Sequence, residues 1–230
     1  MKYSVVVVAA GKGKRMAAGK NKMLLKLRGE PLVIHTLRLF ATDLECEELI
    51  LVVNDDEIKE MQRLITTSGL TKVPKLVVGG KERQHSVKNG LDQLQSNEGI
   101  VLVHDGARPF IRKEILQALV AEAYRSRAAT TAVAVKDTIK RAHDYRVIET
   151  LNRSELWAVQ TPQAFDKALL IQAHEQAVAA GFFGTDDCSL LEWLGHEVTI
   201  VESDYQNIKL TTPEDLLFAE AILVERERHK

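Results

Sequence analysis

The chain has 230 residues, of which 45% are hydrophobic, 27% are charged and 5% are aromatic. Its 31 lysine and arginine residues nearly balance its 32 aspartate and glutamate residues, so the formal net charge is −1. This is the composition of a globular protein large enough to bury a core, and it excludes a disordered, collagen-like or disulfide-stapled chain.

The cysteines and the apolar runs bear on cellular location. Cys46 and Cys188 are far apart and have no C-x-x-C partner, as expected for reduced thiols. No apolar run approaches the roughly 18–20 residues of a membrane helix. The N-terminal run Tyr3–Ala10 lacks the charge order of a secretory signal. The sequence therefore predicts a cytoplasmic protein with no targeting segment and no membrane span.

Charge is unevenly distributed along the chain. Residues 1–30 contain eight basic residues and one acidic residue, Glu30, which is a net charge of +7 and leaves −8 for the rest. A basic cluster beside glycines is typical of an anion-binding site. A solvated, lysine-rich loop has the same composition, and charge alone favours that second interpretation.

Apolar runs of strand length alternate with stretches of helical period. The strands are predicted at Tyr3–Ala9, Leu49–Val53, Leu76–Val78, Ile100–Val103, Thr130–Val135 and Val198–Val201. The helices are predicted from Pro31 through Phe40, over Ile58–Ile65, Val87–Leu94 and Leu116–Ala123, and from a Thr212 cap and Pro213 through Leu223.

This alternation predicts an α/β protein with a mostly parallel sheet and helices on both faces, folded as a single domain over residues 1–230. Ligands of such sheets bind beyond the carboxyl ends of the strands. The segments that follow predicted strands, and so become candidate site segments, are Ala10–Arg15, Gly79–Gly80 and His104–Arg108.

Residues 136–156 interrupt the alternation. They are polar and contain two short strand-like pieces around Ala142–Tyr145, which predicts a hairpin projecting from the sheet. Because a lone hairpin is only marginally stable in water, this arm either packs on another surface, such as a second subunit, or forms a mobile excursion.

The loop after the first predicted strand reads Ala9-Ala10-Gly11-Lys12-Gly13-Lys14-Arg15-Met16. Glycines allow a backbone to approach phosphate oxygens closely. The dinucleotide fingerprint fails because Met16 holds its third glycine position, and the P-loop fails because Asn21 follows Gly19-Lys20. What remains is a basic, glycine-containing turn suited to a polyphosphate.

Two further segments carry candidate chemistry. Gly79-Gly80 with Arg83 and Ser86 suits a base or a phosphate, although a plain turn into a helix has the same pattern. Asp105, at the end of a strand, is placed to hold Mg²⁺, and Arg108 could grip a phosphate with its planar fork. A simple Asp–Arg turn pair is the alternative reading of the second segment.

Other site classes find no support. The histidines have no partners at zinc-ligand spacing, and there is no G-x-S-x-G nucleophile motif. The aromatic residues are few and scattered, which argues against a base-stacking nucleic-acid platform.

The opening strand with its AAGKGKRM loop and Lys22 resembles the glycosyltransferase-A-type nucleotidyltransferases, and among them the methylerythritol phosphate cytidylyltransferases. The other segments that carry this resemblance are Gly79–Val87, Val103–Phe110, Lys136–Lys140, Leu156–Gln163, Thr185–Asp187 and Asn207–Asp215. They follow the family's order over nearly the whole chain. Departures occur at Val8, at Asn21-Lys22-Met23 and at Gly106, and they leave Arg15 and Lys22 in register.

The resemblance implies a three-layer, Rossmann-like nucleotidyltransferase fold and a Mg²⁺-assisted transfer from CTP to 2-C-methyl-D-erythritol 4-phosphate, in the non-mevalonate isoprenoid pathway. The substrate phosphate would attack the α-phosphorus of CTP in line and release pyrophosphate. The resemblance also implies a homodimer joined through the hairpin arm, with no nucleic-acid or membrane partner.

The resemblance carries roles over residue by residue. The catalytic residues would be Arg15, Lys22, Arg153 and Lys209. Ala9, Ala10, Gly11, Gly13, Gly80, Arg83, Ser86 and Asp105 would bind CTP, and Asp105 would also hold the metal. The acceptor would be bound by Asp105, Arg108, Thr138, Arg153, Thr161, Thr185 and Lys209, with Arg153 reaching across from the partner subunit.

Three alternatives stay open at this point. A ribitol-5-phosphate cytidylyltransferase shares most of the motifs. The segments Ala9-Ala10-Gly11 and Thr185-Asp186-Asp187 favour the methylerythritol phosphate acceptor over it, but not decisively. The missing third glycine counts against a nicotinamide dehydrogenase. The near-zero net charge and scarce aromatic residues count against a nucleic-acid-binding protein.

Overall fold

Eleven strands and seven α-helices make up the part of the chain that the computed structural model describes, residues 1–11 and 22–228. The strands are β1 (Tyr3–Val8), β2 (Lys26–Leu27), β3 (Glu30–Pro31), β4 (Cys46–Val53), β5 (Lys75–Val78), β6 (Ile100–Asp105), β7 (Ala128–Ala134), β8 (Lys140–His143), β9 (Arg146–Thr150), β10 (Trp157–Asp166) and β11 (Thr199–Glu202). The helices are α1 (Leu32–Ala41), α2 (Ile58–Thr67), α3 (Arg83–Leu91), α4 (Lys113–Ser126), α5 (Lys167–Ala180), α6 (Asp187–Trp193) and α7 (Pro213–Arg228).

Seven strands form the central sheet in the order β11-β7-β10-β6-β1-β4-β5. The pairs β6–β1, β1–β4, β4–β5 and β11–β7 are parallel, whereas β10 runs antiparallel to both of its neighbours. The prediction of a mostly parallel sheet is confirmed. Consequently, the carboxyl ends of β1, β4, β5 and β6 lie together at one edge of the sheet.

Side chains of β1 alternate between two apolar layers, one on each face of the sheet. Val5 and Val7 belong to the layer formed with α1, α2, α4 and α7, whereas Val6 belongs to the layer formed with α3, α5 and α6. A strand covered on both faces favours successive apolar residues, which explains the valine run of β1, while the buried Ser4 hydroxyl donates to Glu48. The predicted three-layer arrangement is therefore confirmed.

The predicted helices appear with small changes in their bounds. Pro31 directly precedes α1 instead of occupying its first turn, and α3 begins at Arg83, before the apolar residues that revealed it. At the last helix, the Asp215 carboxylate accepts hydrogen bonds from the backbone N–H groups of Thr211 and Thr212, which satisfies donors of the chain entering the helix.

Strand β10 and helices α5 and α6 were not among the predicted elements. A proline inside a run argues against a central strand, and β10 contains Pro162. The ladder between β10 and β7 is interrupted between Val159 and Gln163, so Pro162 occupies a stretch in which no N–H donor to that ladder is required.

Residues 140–150 form the predicted hairpin, with β8 antiparallel to β9 and with positive φ at the turn residues Asp144 and Tyr145. Every residue from 139 to 150 is exposed. The contacts of its side chains include an ion pair within the hairpin, between Arg141 and Glu149. The arm thus projects from the domain, as its polar sequence predicted.

Both cysteines are free and buried, in agreement with the reduced thiols expected from their spacing. Among the residues that the structure describes, no helix is both long enough and apolar enough to cross a membrane.

Candidate active site

A cleft of about 790 Å³ lies at the carboxyl ends of β1, β4, β5 and β6. Sequence-predicted site residues that line it are Ala9, Ala10, Gly11, Lys22, Gly80, Arg83, Ser86, Asp105 and Lys209. This is the position at which open parallel sheets bind ligands. Two more predicted residues, Gly13 and Arg15, fall outside the described part of the chain.

The turn Gly79–Gly80 lies against the first loop with no room for side chains. A Cβ atom on Gly79 would be 2.6 Å from the Cβ of Ala10, and one on Gly80 would be 2.3 Å from the Cβ of His85. The Ser86 hydroxyl accepts a hydrogen bond from the Gly80 N–H and donates one to the Glu82 carbonyl. The turn is therefore held to the start of α3.

Asp105 carries the central charge of the cleft. Its carboxylate is 2.6 Å from Lys209 Nζ at one oxygen and 3.5 Å from Arg83 Nε at the other. Burial by itself raises the pKa of Asp105, but the Arg83, Lys209 and Arg108 cations outweigh burial and hold the pKa well below its usual range. Asp105 is therefore ionised whenever the protein is folded near neutral pH.

Arg83, the first residue of α3, bridges two carboxylates. Its Nη1 is 2.6 Å from an oxygen of Asp187 in the first turn of α6, while its Nε faces Asp105. Burial lowers the pKa of Arg83, and the attraction of Asp187 and Asp105 more than reverses that effect. The guanidinium is thus a fixed cation at the wall of the cleft.

Beneath the cleft, His104 and Thr161 hold the backbone of Asp105. The Asp105 N–H donates to the Thr161 hydroxyl at 2.9 Å, and that hydroxyl is 3.2 Å from His104 Nδ1. His104 Nε2 is 2.9 Å from the Arg108 carbonyl, which can only accept, so Nε2 carries the proton. The Thr161 hydroxyl therefore donates to His104 Nδ1. Both ring nitrogens of His104, the Thr161 hydroxyl and the Asp105 N–H thus all have hydrogen-bond partners.

Lys209 is positioned by the loop that precedes α7. The Asn207 side chain donates to the Gln160 side chain and to the Thr161 carbonyl, and the Asn207 carbonyl accepts from Arg108 Nη1 at 2.7 Å. The Leu210 N–H donates to the Ala107 carbonyl at 2.9 Å. These bonds fix the loop on the turn that follows Asp105.

Five of the sequence-predicted residues do not line this cleft. Thr161 is buried beneath Asp105, and Arg108 is half-buried, with its Nη1 donating to the Asn207 carbonyl. Thr138 and Arg153 are exposed at the base of the arm, where Arg153 Nη1 donates to the Lys136 carbonyl, and Thr185 is exposed between α5 and α6.

Sequence reasoning missed three polar residues that line the cleft: Asn54, Lys81 and Glu82. Asn54 directly follows β4, so the same rule of strand carboxyl ends could have identified it. Sequence reasoning also missed the Asp187–Arg83 ion pair, because residues so far apart along the chain give no local signal.

The residues of the cleft fit a magnesium ion that arrives with a phosphate ligand. The described residues contain no group of three or more His, Cys, Asp or Glu side chains arranged to hold a metal. Mg²⁺ is commonly bound by one or two carboxylates together with phosphate oxygens and water. Asp105 is the nearly buried carboxylate available for that role.

Comparisons with known proteins match nearly the whole chain to a single protein family. A family model described as "IspD: 2-C-methyl-D-erythritol 4-phosphate cytidylyltransferase" matches residues 3–225. Proteins named 2-C-methyl-D-erythritol 4-phosphate cytidylyltransferase include one from Halalkalibacterium halodurans, 54% identical over 99% of this chain and 100% of its own length. Another, from Geobacillus kaustophilus, is 55% identical over 98% of this chain and 99% of its own length.

Solved structures agree with these matches. The crystal structure of 4-diphosphocytidyl-2C-methyl-D-erythritol synthase from Anaerococcus prevotii superposes with a TM-score of 0.85 at 33% identity, covering 96% of each chain. That of 2-C-methyl-D-erythritol 4-phosphate cytidylyltransferase from Thermus thermophilus has a TM-score of 0.79 at 31% identity, covering 96% of this chain and 98% of the other.

The buried imidazole of His104 predicts a loss of stability in acid. Burial lowers the pKa of His104 from 6.5 to about 4. The unfolded chain therefore binds the proton first, and stability present above pH 6.5 is lost as the pH falls. Between pH 6.5 and about pH 4.5, we expect His104 to lower the free energy of unfolding by about 2 kcal/mol.

Urea unfolding at several pH values measures this effect. The comparison protein is the His104→Gln variant, which keeps a donor for the Arg108 carbonyl but has no group that titrates in this range. The variant should lose less stability than the wild type on acidification. Equal pH slopes for the two proteins would contradict the assignment.

Proposed function

The chain belongs to the 2-C-methyl-D-erythritol 4-phosphate cytidylyltransferase family, and we propose that its cleft performs this family's reaction by in-line attack of the acceptor phosphate on the α-phosphorus of CTP. The reaction converts CTP and 2-C-methyl-D-erythritol 4-phosphate to 4-diphosphocytidyl-2-C-methyl-D-erythritol and pyrophosphate. It belongs to the non-mevalonate pathway of isoprenoid biosynthesis. None of the comparisons favours the ribitol-5-phosphate alternative.

The observation that supports the mechanism is that several cationic side chains and a glycine turn line the same cleft. Lys22, Arg83 and Lys209 line the same cleft as Gly80, although they come from distant parts of the chain. Both substrates and pyrophosphate are polyanions, and fixed cations stabilise the charge that builds on the α-phosphate and on the leaving group. A phosphate is already a competent nucleophile, so catalysis needs positioning more than a strong base.

The nucleotide is assigned to the side of the cleft formed by the first loop and the start of α3. We assign Ala9, Ala10, Gly11, Gly13, Gly80, Arg83 and Ser86 to CTP. The close approach of the Gly79–Gly80 turn to Ala10 supports a narrow slot for a flat group such as a base. Lys22 and Arg15 are assigned to the phosphates, where they would offset the developing charge.

The acceptor is assigned to the Lys209 side. Lys209 Nζ, paired with Asp105, is available to the acceptor phosphate once a counter-cation occupies the carboxylate. Arg108, Thr138, Thr161, Thr185 and the Arg153 of a second subunit are assigned to the same side. Arg108 and Thr161 do not line the cleft, and we assign them a second role, which is to hold the acceptor-side loop in place.

Asp105 is the residue assigned to hold Mg²⁺. When bound, the metal would neutralise phosphate charge and orient the triphosphate. The Lys209 and Arg83 cations that face Asp105 in the described structure would then be released toward the phosphates. The chain itself therefore supplies the carboxylate, the cations and the shape of the slot.

The exposed arm supports the proposal of a homodimer. Val147 and Ile148 are 63% and 54% exposed, and Trp157 and Val159, near the arm's base, are 37% and 46% exposed. Several large apolar side chains on a projecting hairpin are suited to burial against a second copy. We also assign the protein to the cytoplasm, because it has two buried free thiols and uses an intracellular nucleotide.

Pyrophosphate release tests the reaction and its substrates. With Mg²⁺ present, CTP, UTP, ATP and GTP are each paired with 2-C-methyl-D-erythritol 4-phosphate and with ribitol 5-phosphate. We expect release only with CTP and the methylerythritol acceptor. Release with ribitol 5-phosphate instead would keep the chemistry and change the pathway, and silence in every pairing would overturn the proposal.

Replacement of Lys209 tests the electrostatic role of the cleft. Lys209→Met keeps the length of the side chain and removes the charge, and we expect kcat to fall about 10²–10³-fold, as on loss of one preorganised transition-state donor. Lys209→Arg should recover part of that loss, and the exposed Lys113→Met should leave kcat unchanged. Steady-state kinetics with near-normal turnover in Lys209→Met would contradict the role.

Mixing two inactive variants tests the shared site. Arg153→Ala removes the residue proposed to cross the dimer interface, and Lys22→Ala removes a residue of the cleft itself. A hybrid dimer then has one cleft with both residues intact. Random exchange makes half of the dimers hybrid, so activity should return to about a quarter of the wild-type value. No recovery after exchange proven by mass spectrometry would show that Arg153 acts within its own subunit or not at all.

A further inference from the structure

A buried pair of side chains, Asp187 and His174, stands behind the Arg83 cation and outside the cleft. Asp187 is 1% exposed and His174 is fully buried. Asp187 holds Arg83 Nη1 at 2.6 Å with one carboxylate oxygen and faces His174 Nε2 at 3.3 Å with the other. The three side chains form a line from the middle of α5 to the wall of the cleft.

The direction of the hydrogen bond follows from the chemistry of the partners. The Asp187 carboxylate accepts only, so His174 Nε2 is the donor. His174 Nδ1 is buried without a hydrogen-bond partner among the described residues. Such a buried unpaired nitrogen is costly in a core, and among the described residues the polar partner of this imidazole is Asp187.

The charge of the pair depends on Arg83. Burial raises the pKa of Asp187, and the Arg83 cation together with the contact from His174 outweighs burial and lowers the pKa below its usual value. Asp187 therefore stays ionised inside the core. A buried carboxylate with one oxygen satisfied and one oxygen free would be held less firmly in orientation than one with both satisfied.

The start of α6 is fixed on its other side as well. The Gln163 side chain donates to the Asp186 carboxylate at 2.6 Å and accepts from the Asp187 N–H at 3.3 Å. The Gln84 side chain, next to Arg83, donates to the Phe182 carbonyl and accepts from the Gly184 N–H. The first turn of α3 is thereby attached to the chain between α5 and α6.

We propose that Asp187 and His174 are positioning residues that fix the Arg83 guanidinium in the nucleotide side of the cleft, so that His174, remote from the ligand, sets the affinity for CTP. This inference rests on the proposed function, since it assigns Arg83 to CTP. Without the His174 donor, the Asp187 carboxylate can rotate. Arg83 Nη1 then loses its fixed partner, and less of the Arg83 charge is held toward the triphosphate.

Direct CTP binding separates this role from turnover and from mere stability. Isothermal titration of the full chain with CTP and Mg²⁺, without acceptor, gives the Kd. His174→Leu removes the donor, and His174→Gln keeps an amide N–H close to the position of Nε2. Leu170→Val is the matched control, because Leu170 is buried one turn earlier on the same face of α5 and is apolar. Urea unfolding is measured on each variant.

We expect Kd for CTP to rise about tenfold in His174→Leu, as for other residues that orient a ligand-binding side chain. Asp187→Asn should weaken binding at least as much, because the amide carries no charge for Arg83. His174→Gln should stay within about threefold of the wild type, and Leu170→Val should bind CTP as the wild type does. In steady-state kinetics of His174→Leu, we expect KM for CTP to change more than kcat.

Three results would overturn the inference. These are an unchanged Kd in folded His174→Leu, equal losses in the Leu and Gln variants, and a loss in Leu170→Val as large as that in His174→Leu. If His174→Leu does not fold, His174→Asn, whose shorter amide cannot reach Asp187, replaces it in the comparison with His174→Gln. A folded wild-type chain that binds no CTP would instead overturn the proposed function, and this inference with it.

Discussion

The nearly buried carboxylate of Asp105 is the constraint on which the cleft depends. With 8% of its surface exposed, Asp105 has lost most of its hydration, and an ionised carboxylate in that position is tolerable only beside cations. Arg83 and Lys209 supply them from the start of α3 and from the loop before α7. Three segments that are distant in the sequence must therefore meet before the charge of Asp105 can be buried.

The same charges explain how the cleft can receive a polyanion. In the described structure Arg83 and Lys209 each have a carboxylate partner, so these two cations bring little unpaired charge to the cleft. In the proposed reaction a metal–triphosphate complex brings both signs of charge. Asp105 would hold the metal, and Lys209 and Arg83 would then face the phosphates. Binding would then be an exchange of charged partners at Asp105, Arg83 and Lys209, which avoids leaving a buried charge uncompensated.

The sequence predicted the parts of this arrangement that have a local signature. The valine run of β1 is favoured by burial on both faces, and Asp105 and the Gly79–Gly80 turn are found by the rule that ligands bind beyond strand carboxyl ends. The polar character of residues 136–156 identified the arm. In these cases the residues that reveal the element are also the residues that form it.

The rest depends on contacts between distant residues. Pro162 and the polar residues before it do not look like a central strand in the sequence. They are tolerated in β10 because the ladder to β7 is interrupted at that point, which only the structure shows. His174 reads as one polar residue in a helical stretch, and nothing near it in sequence indicates Asp187 or Arg83. Thr161 was assigned to the acceptor side, and the structure adds its bonds to His104 and to the Asp105 backbone.

The loop before α7 joins the arm to the cleft. Tyr205 in this loop donates to the Ala134 carbonyl, and its ring centroid lies 3.3 Å from Nζ of Lys136, the residue whose carbonyl accepts from Arg153. Two residues later, Asn207 holds the Arg108 and Thr161 segments, and Lys209 follows. The base of the arm and the loop that carries Lys209 are therefore joined by direct contacts. If a second subunit packs on the arm, as proposed, its contact would reach the acceptor side through this loop as well as through Arg153.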